Sequence, residues 1–214
     1  MAQLKVCGIT RREDLEVCDA LGVDAVGINF WSRSKRGVSI EHAGALLEGT
    51  TGAQRVGVFV DHTPDEVLEI ATSLRLDAIQ PHGDGAPEPF AALGLPWVWV
   101  IRGTPDLAAL TVPEPAPAWI LLDAAVAGYG GAGAKTDWAW AADAVGRLAP
   151  HRVWLAGGIT PDNAAQALAQ VRPVGLDVAS GSERSGAQHG EKDAARVRAL
   201  LAAVRAAQPP ESAS

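Results

Sequence analysis

Eight short runs of β-branched or apolar residues recur along this chain, and no other feature restricts its fold so strongly. They are LKVCGI (4–9), AVGINF (25–30), RVGVFV (55–60), AIQPH (78–82), WVWVIR (97–102), AWILLD (118–123), VWLAGG (153–158) and GLDVAS (175–180). Successive runs start about 20–35 residues apart, the length of one strand and its crossover. Near-continuous apolar strands belong to parallel sheets, which are covered on both faces. Amphipathic stretches such as REDLEVCDALG, TPDEVLEIATSLR, TDWAWAADAVGRL and TPDNAAQALAQV lie between them. Several open on Thr or Asp, and in TPDE, TPDL and TPDN a proline follows at once, which is helix-start chemistry.

Eight such units in 214 residues suit a single (β/α)8 barrel, whose lower size limit is about 200 residues. A doubly wound open sheet, with fewer strands, is the alternative. The Pro-rich VPEPAPA (112–118) is a loop and not a linker, because the strand pattern resumes directly after it. Residues 1–207 are therefore expected to form one domain, and QPPESAS (208–214) a frayed, disordered tail.

No apolar run approaches the ~18 residues that would span a bilayer. The start, MAQLKVCGIT, lacks the charged and long apolar segments of a signal peptide, so a cytoplasmic location is expected. Two cysteines and five scattered histidines form no metal-site spacing, and no metal is assigned. A net charge of −7 argues against a nucleic-acid partner but leaves room for an anionic small molecule.

In a barrel of this kind the active site lies at the C-terminal ends of the strands. That rule selects Cys7, Asn29, Asp61, His82, Arg102, Asp123, Gly157, Gly158, Asp177, Ser180 and Gly181. GYGGAG (128–133) spells the G-x-G-x-x-G dinucleotide fingerprint, but the sixth strand ends four residues earlier, at Asp123. The next helix starts only near Thr136 or Asp137. A dinucleotide turn needs strand, glycines and helix in direct succession. The expectation is instead a glycine loop over the barrel mouth, with no NAD.

KVCGIT, DAVGINFWSRSKRGVS, VGVFVD, QPHGD, LLD followed by GYGGAG and DW, LAGGITPDN, and LDVASG with Glu183 two residues on fall in one order. From residue 4 to about 205 the chain closely resembles phosphoribosylanthranilate isomerase of tryptophan biosynthesis. The resemblance implies an Amadori rearrangement of an aminoaldose phosphate to an aminoketose, without cofactor or metal. Cys7 matches the general base of that family, and Asp123 its general acid. Arg36 matches the arginine that holds the anthranilate carboxylate, with Arg33 and Lys35 as neighbours able to substitute. Gly157, Gly158, Ser180 and Gly181 match a phosphate site between strands 7 and 8.

His82 matches a family histidine whose role could be substrate binding or structural. Lys5 and Asp177 complete the substrate-binding set. Lys5 shares the inward face with Cys7 by two-residue alternation, so it is expected to favour the thiolate. The ordinary fate of a free cysteine is a buried apolar filler, and Cys18, on the first helix, is read as a core or surface filler. The partner is then a small-molecule substrate, with no membrane, and the chain a monomer or homodimer.

Three departures from the family stand out. Pro81 replaces a leucine in the Q-L-H-G segment, Lys135 sits one place later, and SERSGAQHGEKD (182–193) is a few residues longer. Two other functions are weighed. A histidine-pathway aminoaldose isomerase would carry an aspartate where Cys7 stands. A non-catalytic sugar-phosphate-binding paralogue would have no reason to keep both Cys7 and Asp123.

Overall fold

A computed structural model of the protein describes residues 1–50, 52–124 and 136–207. The GYGGAG segment, Lys135 and the 208–214 tail lie outside the described residues. Eight strands form one sheet: β1 (Gln3–Cys7), β2 (Ala25–Asn29), β3 (Gln54–Phe59), β4 (Ala78–Pro81), β5 (Val98–Arg102), β6 (Trp119–Asp123), β7 (Val153–Leu155) and β8 (Gly175–Val178). Their order is β4-β3-β2-β1-β8-β7-β6-β5, and the paired neighbours run parallel. A parallel bridge from Ile79 to Trp97, just ahead of β5, joins the two outer strands. The sheet is a closed barrel.

Among the described residues seven α-helices return the chain: α1 (Arg12–Leu21), α2 (Ile40–Leu47), α3 (Pro64–Ser73), α4 (Glu88–Ala91), α5 (Trp138–Arg147), α6 (Ala164–Val171) and α7 (Ala194–Ala206). The Thr-Pro starts differ in outcome. At Thr63 a full capping box forms with Glu66, and α3 begins at Pro64. At Thr104 the chain makes only a three-residue 3₁₀ turn, Leu107–Ala109, because Pro113, Pro115 and Pro117 follow and cannot donate helical hydrogen bonds. At Thr160 the helix is delayed to Ala164. A turn intervenes, closed by the Asn163 side chain, which accepts from Thr160 N at 2.8 Å and donates to Gly158 O at 2.9 Å. Among the described residues no helix is long and apolar enough to cross a membrane.

Strand alternation divides the apolar residues in two. Leu4, Val6, Val26, Ile28, Leu122 and Leu155 belong to the large cluster packed against the helices. Ala25, Val56, Val98, Trp119, Leu121 and Trp154 fill the barrel interior, where the Trp119 and Trp154 rings meet at 5.8 Å. The same inward face carries Lys5 and Cys7 on β1, Gln80 on β4 with His82 just beyond it, Asp123 on β6 and Asp177 on β8. A barrel whose floor is tryptophan and aliphatic thus becomes ionic towards its C-terminal mouth.

Candidate active site

Cys7 is the last residue of β1 and is half-buried. Its neighbour in register is Gly27, where an added Cβ would stand 2.6 Å from the Cys7 Sγ. Glycine on β2 is what leaves room for the thiol to lie across the mouth. Gly8, in the left-handed region with φ 74°, turns the chain out of β1, and a Cβ there would meet the Arg36 Cδ at 2.4 Å. The CG of the KVCGIT motif therefore brings the base and the arginine together.

Lys5 sits one alternation below Cys7 and has no exposed surface. Its ammonium donates to Asp177 Oδ2 at 2.7 Å and to Gln80 Oε1 at 3.1 Å. Burial pulls the Lys5 pKa down, but Asp177 and Cys7 outweigh it, and the net shift is upward from 10.5. The expected activation of Cys7 does not follow. Burial pushes the Cys7 thiol up, and Asp177 adds to that push, while Lys5 and Lys192 only partly oppose it. Because the Lys5 charge is already met by Asp177, Cys7 rests as a thiol. The other oxygen of Asp177, Oδ1, is buried without a hydrogen-bond partner among the described residues.

Asp123 ends β6 and is buried. Its Oδ1 accepts from Ala124 N at 2.8 Å, and its Oδ2 lies 3.2 Å from His82 Nε2. That approach is misaligned for a hydrogen bond, so His82 Nε2 is a second buried polar atom without a hydrogen-bond partner among the described residues. β6 stands three places from β1 around the ring, by way of β8 and β7. Acid and base thus occupy different walls of one mouth.

Arg36 reaches the site from the β2–α2 loop, which Asn29 braces by accepting from Trp31 N and donating to Ser34 Oγ. Its guanidinium is buried and held by Glu183, with Nε to Oε1 at 2.5 Å and Nη2 to Oε2 at 2.9 Å. Burial opposes the Arg36 charge, but Glu183 and Cys7 outweigh it and hold its pKa above its ordinary value. Glu183 in turn stays ionised: burial raises its pKa, yet Arg36 and Lys192 bring it below its ordinary value. Arg33 and Lys35 lie elsewhere, Arg33 on Asp61 at 2.7 Å and Lys35 beside His189 at 3.4 Å, both exposed. Arg102 pairs with Asp84 at 2.6 Å.

The 182–193 segment folds back as a hairpin, with Glu183 and Lys192 bridged antiparallel. It carries the buried Lys192 ammonium to Cys7 O at 2.7 Å, Ala179 O at 3.1 Å and Glu183 Oε1 at 3.6 Å. Burial lowers the Lys192 pKa. Gly157 and Gly158, with φ 86° and 66°, lie half-exposed past the end of β7. Ser180 and Gly181 open a 3₁₀ turn past β8, where a Cβ on Gly181 would come within 1.8 Å of Ile159 O. The two glycine-bearing strand ends are therefore in contact. The start of α6 stands one turn behind them and not directly at the glycines.

Sequence reasoning selected Cys7, Asp123, His82, Asp177 and Arg36 but gave no role to Gly27, Gln80, Glu183 and Lys192. A family model described as N-(5'phosphoribosyl)anthranilate (PRA) isomerase matches residues 4–203. The chain belongs to this family. It is 41% identical over 209 residues to the N-(5'-phosphoribosyl)anthranilate isomerase of Thiobacillus denitrificans, covering 95% of this chain and 98% of that one. The phosphoribosyl anthranilate isomerase structure from Thermus thermophilus superposes with TM-score 0.82 at 35% identity, over 96% of this chain and 100% of that one. Another solved isomerase, in complex with reduced 1-(o-carboxyphenylamino)-1-deoxyribulose 5-phosphate, gives TM-score 0.79 at 28% identity, over 96% and 99%.

Proposed function

We infer that the chain isomerises N-(5-phosphoribosyl)anthranilate to 1-(2-carboxyphenylamino)-1-deoxyribulose 5-phosphate in tryptophan biosynthesis, a step carried out in the cytoplasm. The observation that carries this reading is family membership across residues 4–203, with a thiol and a carboxyl retained at two strand ends of one mouth. Asp123 gives a proton to the ring oxygen as the C1–O bond breaks and the nitrogen lone pair forms C1=N. Cys7, once its thiol proton has passed to solvent, takes the C2 proton; the C2–H electrons form the C1=C2 bond of an enolamine and the C1=N π pair returns to nitrogen. The C2 hydroxyl then gives its proton to Asp123 as C1 takes one from Cys7, which leaves the ketone and restores both side chains. Protons and electrons balance within the substrate and the two side chains.

Arg36, gripped side-on by Glu183, keeps its Nη1–Nη2 edge for the anthranilate carboxylate, the planar group an arginine fork fits. Backbone N–H groups around Gly157, Gly158, Ser180 and Gly181 take the phosphate. Asp177 Oδ1, an unmatched buried acceptor, suits a sugar hydroxyl. Loss of substrate fluorescence, followed with EDTA present and no added cofactor, tests the reading. Turnover is the expected result, and an enzyme inactive until metal or NAD is supplied would overturn it.

A further inference from the structure

The geometry points to Gln80 as a positioning residue that fixes the tautomer of His82, so that a neutral imidazole presents Nε2–H to Asp123. Lys5 has no exposed surface and, as an ammonium, no acceptor capacity. The Gln80 atom 3.1 Å from its Nζ must therefore be the amide oxygen. The Gln80 NH₂ group is then the end that faces His82 Nδ1, at 3.0 Å. An amide NH₂ has only protons to offer there, so Nδ1 must present its lone pair.

A neutral ring with Nδ1 as acceptor carries its proton on Nε2, the atom 3.2 Å from Asp123 Oδ2. The imidazolium form would set Nδ1–H against the amide NH₂, two buried donors face to face. The hydrogen bonds run in one direction, from Lys5 through Gln80 to His82, whose Nε2–H is left on the side of Asp123. Lys5 is itself oriented by Asp177 at 2.7 Å. Its raised pKa keeps the chain anchored on an ammonium.

This arrangement serves the proposed reaction, and the inference rests on the reading of Asp123 as the acid. When Asp123 gives up its proton, a fixed Nε2–H and the Ala124 N–H face the carboxylate that forms. The Ala124 N–H already donates to it, and the Nε2–H, with its atom 3.2 Å away, needs a change of angle but no change of tautomer, which favours the charge developing in the step. His82 stays uncharged and does not replace Asp123 as the proton source.

The test is ¹⁵N NMR of the histidine rings in the full chain, with the His82 signals assigned by their loss in His82→Asn. The expected spectrum has a pyridine-type Nδ1 and a pyrrole-type Nε2. An imidazolium or an Nδ1-protonated ring in the unsubstituted protein refutes the proposal, whether or not any variant folds. Gln80→Glu keeps the size but offers only acceptors, so the proton should move to Nδ1. Its kcat should fall about tenfold, less than the ~10²–10⁴ attributed to a general acid itself. KM should stay within about twofold, the pattern of a group that acts in the transition state. Gln80→Met, which removes both partners, should lose kcat alike; full activity in either variant refutes the proposal. Failure of the unsubstituted enzyme to isomerise would overturn the proposed function instead and leave the tautomer measurement standing.

Discussion

Replacing Lys5 by methionine removes the one cation among the described residues that meets the buried Asp177 carboxylate. At the observed 2.7 Å and an effective dielectric constant of about 20, the pair attraction is about 6 kcal/mol. Desolvation offsets much of that, so the net worth of the pair against apolar replacements is small. Removing one partner alone is different, because it strands the other charge, and costs about 3–5 kcal/mol. For a domain of this size that is a fall in Tm of ~6–20 °C. The double variant Lys5→Met/Asp177→Leu should recover most of the loss.

The Lys5 pKa is raised on folding, so its contribution is complete below the ordinary 10.5 and disappears only as pH rises through the still higher folded value. The cost of Lys5→Met should therefore be flat between about pH 6 and 9, measured by urea unfolding at several pH values. A single-variant cost under about 1 kcal/mol, the scale of an exposed pair, would refute the premise that this ion pair is dry.

Asp123→Asn and Cys7→Ser should each lower kcat at least about a hundredfold, with product affinity kept. With C2-deuterated substrate the isotope effect should persist or grow in Cys7→Ser and shrink in Asp123→Asn; the reverse would mean that acid and base are swapped. Arg36→Ala should weaken a product analogue bearing the carboxylate far more than one without it, and equal losses would make Arg36 structural. Iodoacetamide should label Cys7, protected by product, before Cys18, whose thiol is fully buried and pushed up to about 12. Because Asp177 helps raise the Cys7 thiol, Asp177→Asn should move that labelling to lower pH, and a shift to higher pH would contradict the charge assignment.

The barrel was legible because its strands are covered on both faces, which turns each one into an apolar run that periodicity can find. The 3₁₀ turn that stands in place of an α-helix between β5 and β6 was not, because Thr104-Pro105-Asp106 satisfies the same start rule as Thr63-Pro64-Asp65, and only the prolines that follow decide between a helix and a single 3₁₀ turn. The strand-end rule reached Cys7, Asp123 and His82, since each lies where a strand meets the mouth. It could not reach Gln80, one alternation deeper, where a glutamine reads as ordinary strand polarity. A signal was present nonetheless: Lys5 inside an apolar run needed partners, and Gln80 and Asp177 sit at inward positions of their strands.

Glu183 and Lys192 escaped for another reason. They act on Arg36 and Cys7 across more than a hundred residues of chain, through a hairpin whose bridge no local pattern announces. Their effect on the thiol follows from counting charge. Lys5, Arg36 and Lys192 are cationic and Asp177 and Glu183 anionic, so one positive charge is in excess around Cys7. A neutral thiol leaves that excess unmatched, and a thiolate would balance it. Burial nevertheless wins at rest, because Asp177 lies on the Cys7 side and raises the thiol while it neutralises Lys5. The site therefore holds Cys7 protonated but surrounded by the cations that its thiolate would need. That suits a base required only after a separate acid has opened the sugar ring.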